Sequence, residues 1–139
     1  MTHAISWFEI PVIEYDRAVE FYETVLDCEV DEYENESDEE MEGRYGMFRT
    51  EDDEVGGALA QMEHGYTPED DDTPIPYTPT DDAGPMLYLS VAGDVEDALD
   101  AVEPAGGTVQ VGKESTGEGS YFAIVTDTEG NRVGLLSTE

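Results

Sequence analysis

Few residues in this sequence carry side chains suited to chemistry, and their spacing groups them. Successive side chains of a β-strand alternate between its faces, so Trp7 and Glu9 share one face of the run 5–12. By the same rule Leu59, Gln61 and Glu63 go together, as do Met86, Tyr88 and Ser90, and Arg132, Gly134 and Leu136. Tyr121 and Ala123 belong to a neighbouring strand whose parity stays open. Glu9 is the candidate general base, because a carboxylate beside an indole is short of water and gains basicity. Tyr88 or Tyr121 can donate a proton or hold an oxyanion. Trp7, Gln61, Met86, Tyr121 and Arg132 complete an aromatic and thioether surface with a few polar groups. Such a surface suits a small, partly apolar ligand. Plainer readings stand beside these. Trp7, Met86 and Tyr88 can pack together as core. Glu9 can be a structural carboxylate bonded to backbone or arginine. Arg132 can pair with surface carboxylates, which far outnumber the cations.

Other chemistries find no support. His3 and His64 are the only histidines, too few and too isolated for a Ser–His–Asp or Cys–His arrangement. Cys28 is the only cysteine, which excludes an intrachain disulfide and a Cys-based zinc site. It reads as a small core residue. Residues 115–120, with Gly112, Gly117 and Gly119, lack the spacing and the lysine of a phosphate loop and read as a flexible hairpin.

The elements that must position these residues follow from periodicity. Residues 5–12 are β-branched and aromatic, a strand with Pro11 at its end. Asp16 is placed to cap a helix in which Ala18, Phe21, Tyr22, Val25 and Leu26 form a stripe of helical period. Strands follow at 28–33, 45–50 and 57–63, with acidic turns at 34–42 and 51–54. Residues 64–85 hold Pro68, Pro74, Pro76, Pro79 and Pro85 and read as a surface linker. The pattern then restarts. A strand at 86–91 precedes Asp94 as a cap, and Val95, Ala98, Leu99 and Val102 form a second helical stripe. Gly106 and Gly107 end that helix, and strands follow at 108–111, 121–126 and 132–136 with a turn at 128–131. Strand–helix–three strands thus occurs twice. An α+β fold is expected, with two βαβββ modules forming a curved, antiparallel-rich mixed sheet around a cavity and helices outside. One domain spans 1–139: a first module over 1–66, an acidic, proline-rich linker over 67–84 and a second module over 85–139.

Charge bounds the setting. The chain has 36 acidic and 5 basic residues, a formal net charge of −31. Such a surface repels itself at ordinary ionic strength, whereas at molar salt the screening length falls to about 3 Å. The acids spread from Glu9 to Glu139, so they are no tail. The reading is a halophilic protein of a high-salt cytoplasm that binds neither nucleic acid nor membrane. No run reaches the roughly 20 apolar residues of a membrane span.

Several segments resemble the vicinal oxygen chelate (glyoxalase, bleomycin-resistance and extradiol dioxygenase) superfamily. Trp7-Phe8-Glu9-Ile10-Pro11-Val12, followed by Arg17-Ala18-Val19-Glu20-Phe21-Tyr22, is similar to its opening strand and helix. Asp127-Thr128-Glu129-Gly130-Asn131 resembles its closing "DPxGN" hairpin, with Thr128 in place of proline, and Ser90-Val91 leading to Asp94-Val95 resembles the second opening. The scaffold hosts lyases, isomerases, dioxygenases, thiol transferases and non-catalytic drug-binding proteins, so the resemblance speaks to fold more than to activity. It implies a homodimer and a cup into which Trp7 and Glu9 point. It also implies one divalent ion held by four side chains. Those positions fall on Trp7, near Gln61, on Met86 and on Gly134, of which only Gln61 is a fitting ligand. No metal or other cofactor is expected. The first reading is a metal-independent small-molecule binder. An enzyme, a lyase or isomerase of small carbonyl or aromatic substrates with Glu9 as base, is the alternative, and an assembly module is the third.

Overall fold

The computed structural model describes residues 4–33, 43–51, 54–62 and 77–139. His3, Glu63, His64, the acidic turn 34–42 and most of the linker lie outside them. The elements run β1 (Trp7–Pro11), α1 (Tyr15–Leu26), β2 (Val30–Glu32), β3 (Gly43–Phe48), β4 (Gly56–Met62), β5 (Tyr88–Ser90), α2 (Val95–Val102), β6 (Thr108–Ser115), β7 (Tyr121–Thr126) and β8 (Arg132–Ser137). This is strand–helix–three strands, twice. The strands form two four-stranded sheets, β1-β4-β3-β2 and β5-β8-β7-β6. In each, the opening strand pairs parallel with the module's last strand, and the other pairs are antiparallel. The fold is α+β with mixed sheets.

The helices form where apolar residues recur at helical spacing. In α2, Val95, Ala98, Leu99 and Val102 are buried. Asp94 caps it as expected, its side chain accepting the Glu96 N–H, and Gly106 leaves it at φ 102°, a turn that suits glycine. The start of α1 differs from expectation. Asp16 already lies inside the helix and accepts a hydrogen bond from Arg44 instead. At this end the Tyr15 N–H donates to the Gln61 side chain at 2.7 Å.

The chain divides into two compact units, Met1–Val19 with Glu29–Pro79, and Glu20–Cys28 with Thr80–Glu139. Helix α1 contributes to both. In the first unit Ile10, Val12, Tyr15, Ala18 and Leu59 are buried. In the second, Phe21, Tyr22 and Val25 of α1 are buried, as are Leu89, Val125 and Leu135 of the strands. Here the two segments that carried the family resemblance meet. The Tyr22 hydroxyl donates to Asp127 at 2.5 Å. Asp127 also accepts the backbone N–H groups of Glu129 and Asn131 and the Asn131 amide. Burial, then the Asp127 charge, pushes the Tyr22 hydroxyl well above its ordinary range. These motif residues are structural: they fasten α1 to the turn between β7 and β8.

Candidate functional site

Sheet registers assign the faces. In the first sheet Glu9 pairs with Ala58 and Trp7 with Gly56, while Ala58 and Ala60 pair with Met47 and Tyr45. Trp7, Glu9 and Tyr45 therefore share the face away from Ile10, Leu59 and the buried side of the sheet. Small residues make its floor. A Cβ at Gly56 would come within 2.8 Å of the Trp7 ring, so glycine there lets the indole lie flat on the sheet. The Trp7 Nε1 donates to the Tyr45 hydroxyl at 2.9 Å. That hydroxyl donates to Glu9 Oε2 at 2.7 Å, and the Tyr77 hydroxyl donates to Oε1 at 2.8 Å. Burial, reinforced by the Glu9 carboxylate, pushes both tyrosine hydroxyls above their ordinary range, so they remain neutral donors. Trp7 is 44% exposed despite this bonding.

The outcome for Glu9 differs from the expected desolvated base. It is exposed, and each oxygen already accepts a phenol hydrogen. Tyr45 and Tyr77 are the members that sequence reading missed. The alternation of Tyr45 with Met47 was visible, but not the register that brings it to Glu9. Tyr77 lies between Pro76 and Pro79 in a segment read as linker.

Gln61 is a correction. It pairs with Arg44 on the face opposite Trp7 and Glu9, with Leu59, and it caps α1. Leu59 is fully buried there rather than turned to the ligand-facing side. The reason is the run Gly56-Gly57-Ala58-Leu59-Ala60, whose only bulky apolar residue must face the core.

In the second sheet Tyr88 pairs with Gly134, Ser90 with Leu136, Leu136 with Phe122, and Arg132 with Thr126. These residues share one face, as parity implied for Tyr88, Arg132, Gly134 and Leu136. The Tyr88 ring covers Gly134 so closely that a Cβ there would collide with it. It meets Phe122 edge to face at 6.4 Å. Tyr88 is 49% exposed and Leu136 38%. Each sheet thus lays an exposed aromatic from its opening strand over a glycine of its last strand. Met86 lies half-buried in the segment before β5. Tyr121 pairs with Ser137 on the opposite face from Tyr88, alongside buried Ala123 and Val125. The Lys113 ammonium lies over its ring at 4.5 Å.

These residues do not fit the divalent ion that the family resemblance implies. On the open face of β1 and β4 the one carboxylate is Glu9, with Gly56, Ala58, Ala60 and Met62 opposite it. On that of β5 and β8 stand Tyr88, Ser90, Arg132, Gly134 and Leu136, none of them a carboxylate or imidazole. Gln61 faces away. No group of three His, Cys, Asp or Glu suited to a metal occurs among the described residues. Cys28 offers no reactive thiol, since burial, then Glu23 and Asp27, pushes it up to about 11.

Comparison with known proteins agrees with this architecture. Among solved structures, a hypothetical protein from S. aureus is 19% identical with a TM-score of 0.64, covering 97% of this chain and 94% of its own. A glyoxalase/bleomycin resistance protein from Albidiferax ferrireducens T118 is 18% identical with a TM-score of 0.57, covering 97% and 98%. A glyoxalase/bleomycin resistance protein/dioxygenase family enzyme from Burkholderia phytofirmans PsJN is 16% identical with a TM-score of 0.62, covering 96% and 98%. At these identities the likeness is one of fold. No curated protein matches the sequence. The sequence pattern of one family matches residues 4–135, nearly the whole chain, and on that match the protein belongs to the Glyoxalase/Bleomycin resistance protein/Dioxygenase superfamily.

Proposed function

We propose that this protein binds a small, partly apolar molecule against the open sheet face carrying Trp7, without using a metal. The observation that carries this reading is Trp7 itself. An indole laid over Gly56 and hydrogen-bonded to Tyr45, yet 44% exposed, is an ordered apolar surface left open. The Tyr45–Glu9–Tyr77 array beside it adds a few fixed polar groups, the usual composition of a small-molecule site. The exposure of Trp7 and Tyr88 counts against the alternative in which they fill a core. Catalysis with Glu9 as general base is less supported, because both oxygens already accept hydroxyl hydrogens.

Trp7 is the only tryptophan, so its emission reports the site directly. Titration with small aromatic aldehydes and ketones in concentrated potassium chloride should give saturable changes, weakened at least tenfold by Glu9→Gln or Tyr45→Phe. If no compound of the panel gives saturation, the reading fails. If one is instead turned over by the wild type and not by Glu9→Gln, the lyase or isomerase reading replaces it. The net charge of −31 supports a high-salt cytoplasm as the working environment. A homodimer is the oligomeric state we propose, to be tested by sedimentation at high salt.

A further inference from the structure

The chain has only five cations for 36 acids, so any cation without a carboxylate stands out. Arg17 pairs with Glu14, Arg44 with Asp16 and Glu32, Arg49 with Glu29 and Asp31, and Lys113 with Asp94. Among the described residues Arg132 is the one Lys or Arg with no ion pair. Scarcity of partners does not explain this; placement does. Arg132 is half-buried at the start of β8. Tyr88, Ser90, Phe122, Ile124, Thr126 and Leu136 share its sheet face, and none is acidic. The adjoining segment, whose Thr80 carbonyl accepts the Arg132 N–H, carries exposed Asp81 and Asp82, but neither forms an ion pair with Arg132, and a half-buried guanidinium calls for an anion.

We propose that Arg132 anchors an oxyanion subsite on this face, and that the ligand is a small acid with an aromatic or apolar body. The guanidinium fork matches a carboxylate or a phosphate in bidentate fashion. Two residues along β8, Gly134 lets the Tyr88 ring lie flat, and this exposed ring offers the apolar contact. Directly across the ladder, the Thr126 hydroxyl accepts from the Gln110 amide at 3.0 Å, which leaves its own hydrogen to donate to an oxyanion. The rest of the protein repels anions, so saturable binding of one demands a local cation. This subsite lies on the second sheet and stands apart from the reading of the Trp7 face.

The test is an amide-resolved NMR titration at fixed, high ionic strength with benzoate, phenyl phosphate and the neutral benzyl alcohol. Wild type, Arg132→Gln and Arg132→Lys are compared. Wild type should bind benzoate or phenyl phosphate at least tenfold more tightly than benzyl alcohol, with shifts at Arg132, Thr126 and Tyr88. Which acid wins tells a carboxylate ligand from a phosphate one. Arg132→Gln should erase the preference while binding benzyl alcohol as before, and Arg132→Lys, a point charge without the fork, should keep part of it. Benzyl alcohol binding as tightly as both acids, or a preference that survives in Arg132→Gln, overturns the oxyanion subsite and leaves small-molecule binding intact. No saturable binding of any of the three overturns the subsite.

Discussion

Glu9 and Asp127 are both carboxylates that accept a tyrosine hydroxyl, yet their surroundings separate their roles. Glu9 is exposed on an open face, where two phenols fix its orientation. Asp127 is buried and accepts four hydrogen bonds, so it has nothing left to offer a ligand. Removing the Tyr22 hydroxyl should therefore act on stability. Tyr22→Phe is expected to cost about 1.5–3 kcal/mol, the range for a hydrogen bond to a charged group, read from urea unfolding. The sign of its pH dependence follows from the raised hydroxyl. In the unfolded chain Tyr22 ionises near pH ~10, whereas the folded state holds its proton to higher pH. The contribution is complete below pH ~10 and is lost as pH rises beyond it. Tyr22→Phe should accordingly show a shallower alkaline loss of stability than wild type. Equal slopes in the two proteins would mean that the hydroxyl is not held as described.

At the scale of elements, the strands and helices were legible because their apolar periods are strong, and β7 matches its expected bounds residue for residue. Faces were legible only where bulky and polar residues alternate. Tyr88 and Leu136 could be placed in this way, whereas β4, with two glycines and two alanines among its first five residues, offers no such contrast. Gln61 was consequently read as a ligand when its face is the buried one. Partnerships across long separations, such as Tyr77 with Glu9, leave no periodic trace at all. Arg132 was open to two readings, a ligand-binding residue or a member of a surface ion pair; it forms no ion pair, and no strand residue on its face is acidic. The reassignment of Gln61 makes a clear prediction. Gln61→Ala should destabilise the protein by about 1 kcal/mol, as loss of a helix cap does, and should leave the Trp7 fluorescence titration unchanged. Weakened ligand binding without loss of stability would return Gln61 to the site.

At the scale of the whole molecule the net charge of −31 dominates. The ion pairs are exposed and individually weak, and they leave most acids unneutralised. Raising potassium chloride from about 0.1 M to about 1 M shortens the screening length from about 10 Å to about 3 Å. The thermal midpoint should rise with it, on the order of 10 °C if a few kcal/mol of repulsion are relieved. A midpoint indifferent to salt in scanning calorimetry would remove the halophilic reading.

Helix α1 starts in one unit and ends in the other, which makes neither half of the sequence self-sufficient. A polypeptide beginning at residue 77 would lack Phe21, Tyr22 and Val25, which are buried in its unit. Alone, it should give the flat near-ultraviolet spectrum of an unfolded chain, and it should regain structure when mixed with a 1–66 peptide. A folded 77–139 fragment would contradict this. If complementation holds, the protein can be cut into two polypeptides and reassembled, its repeated architecture notwithstanding. The two modules would then be co-dependent in inheritance, since a gene carrying only the second would encode an unfinished core.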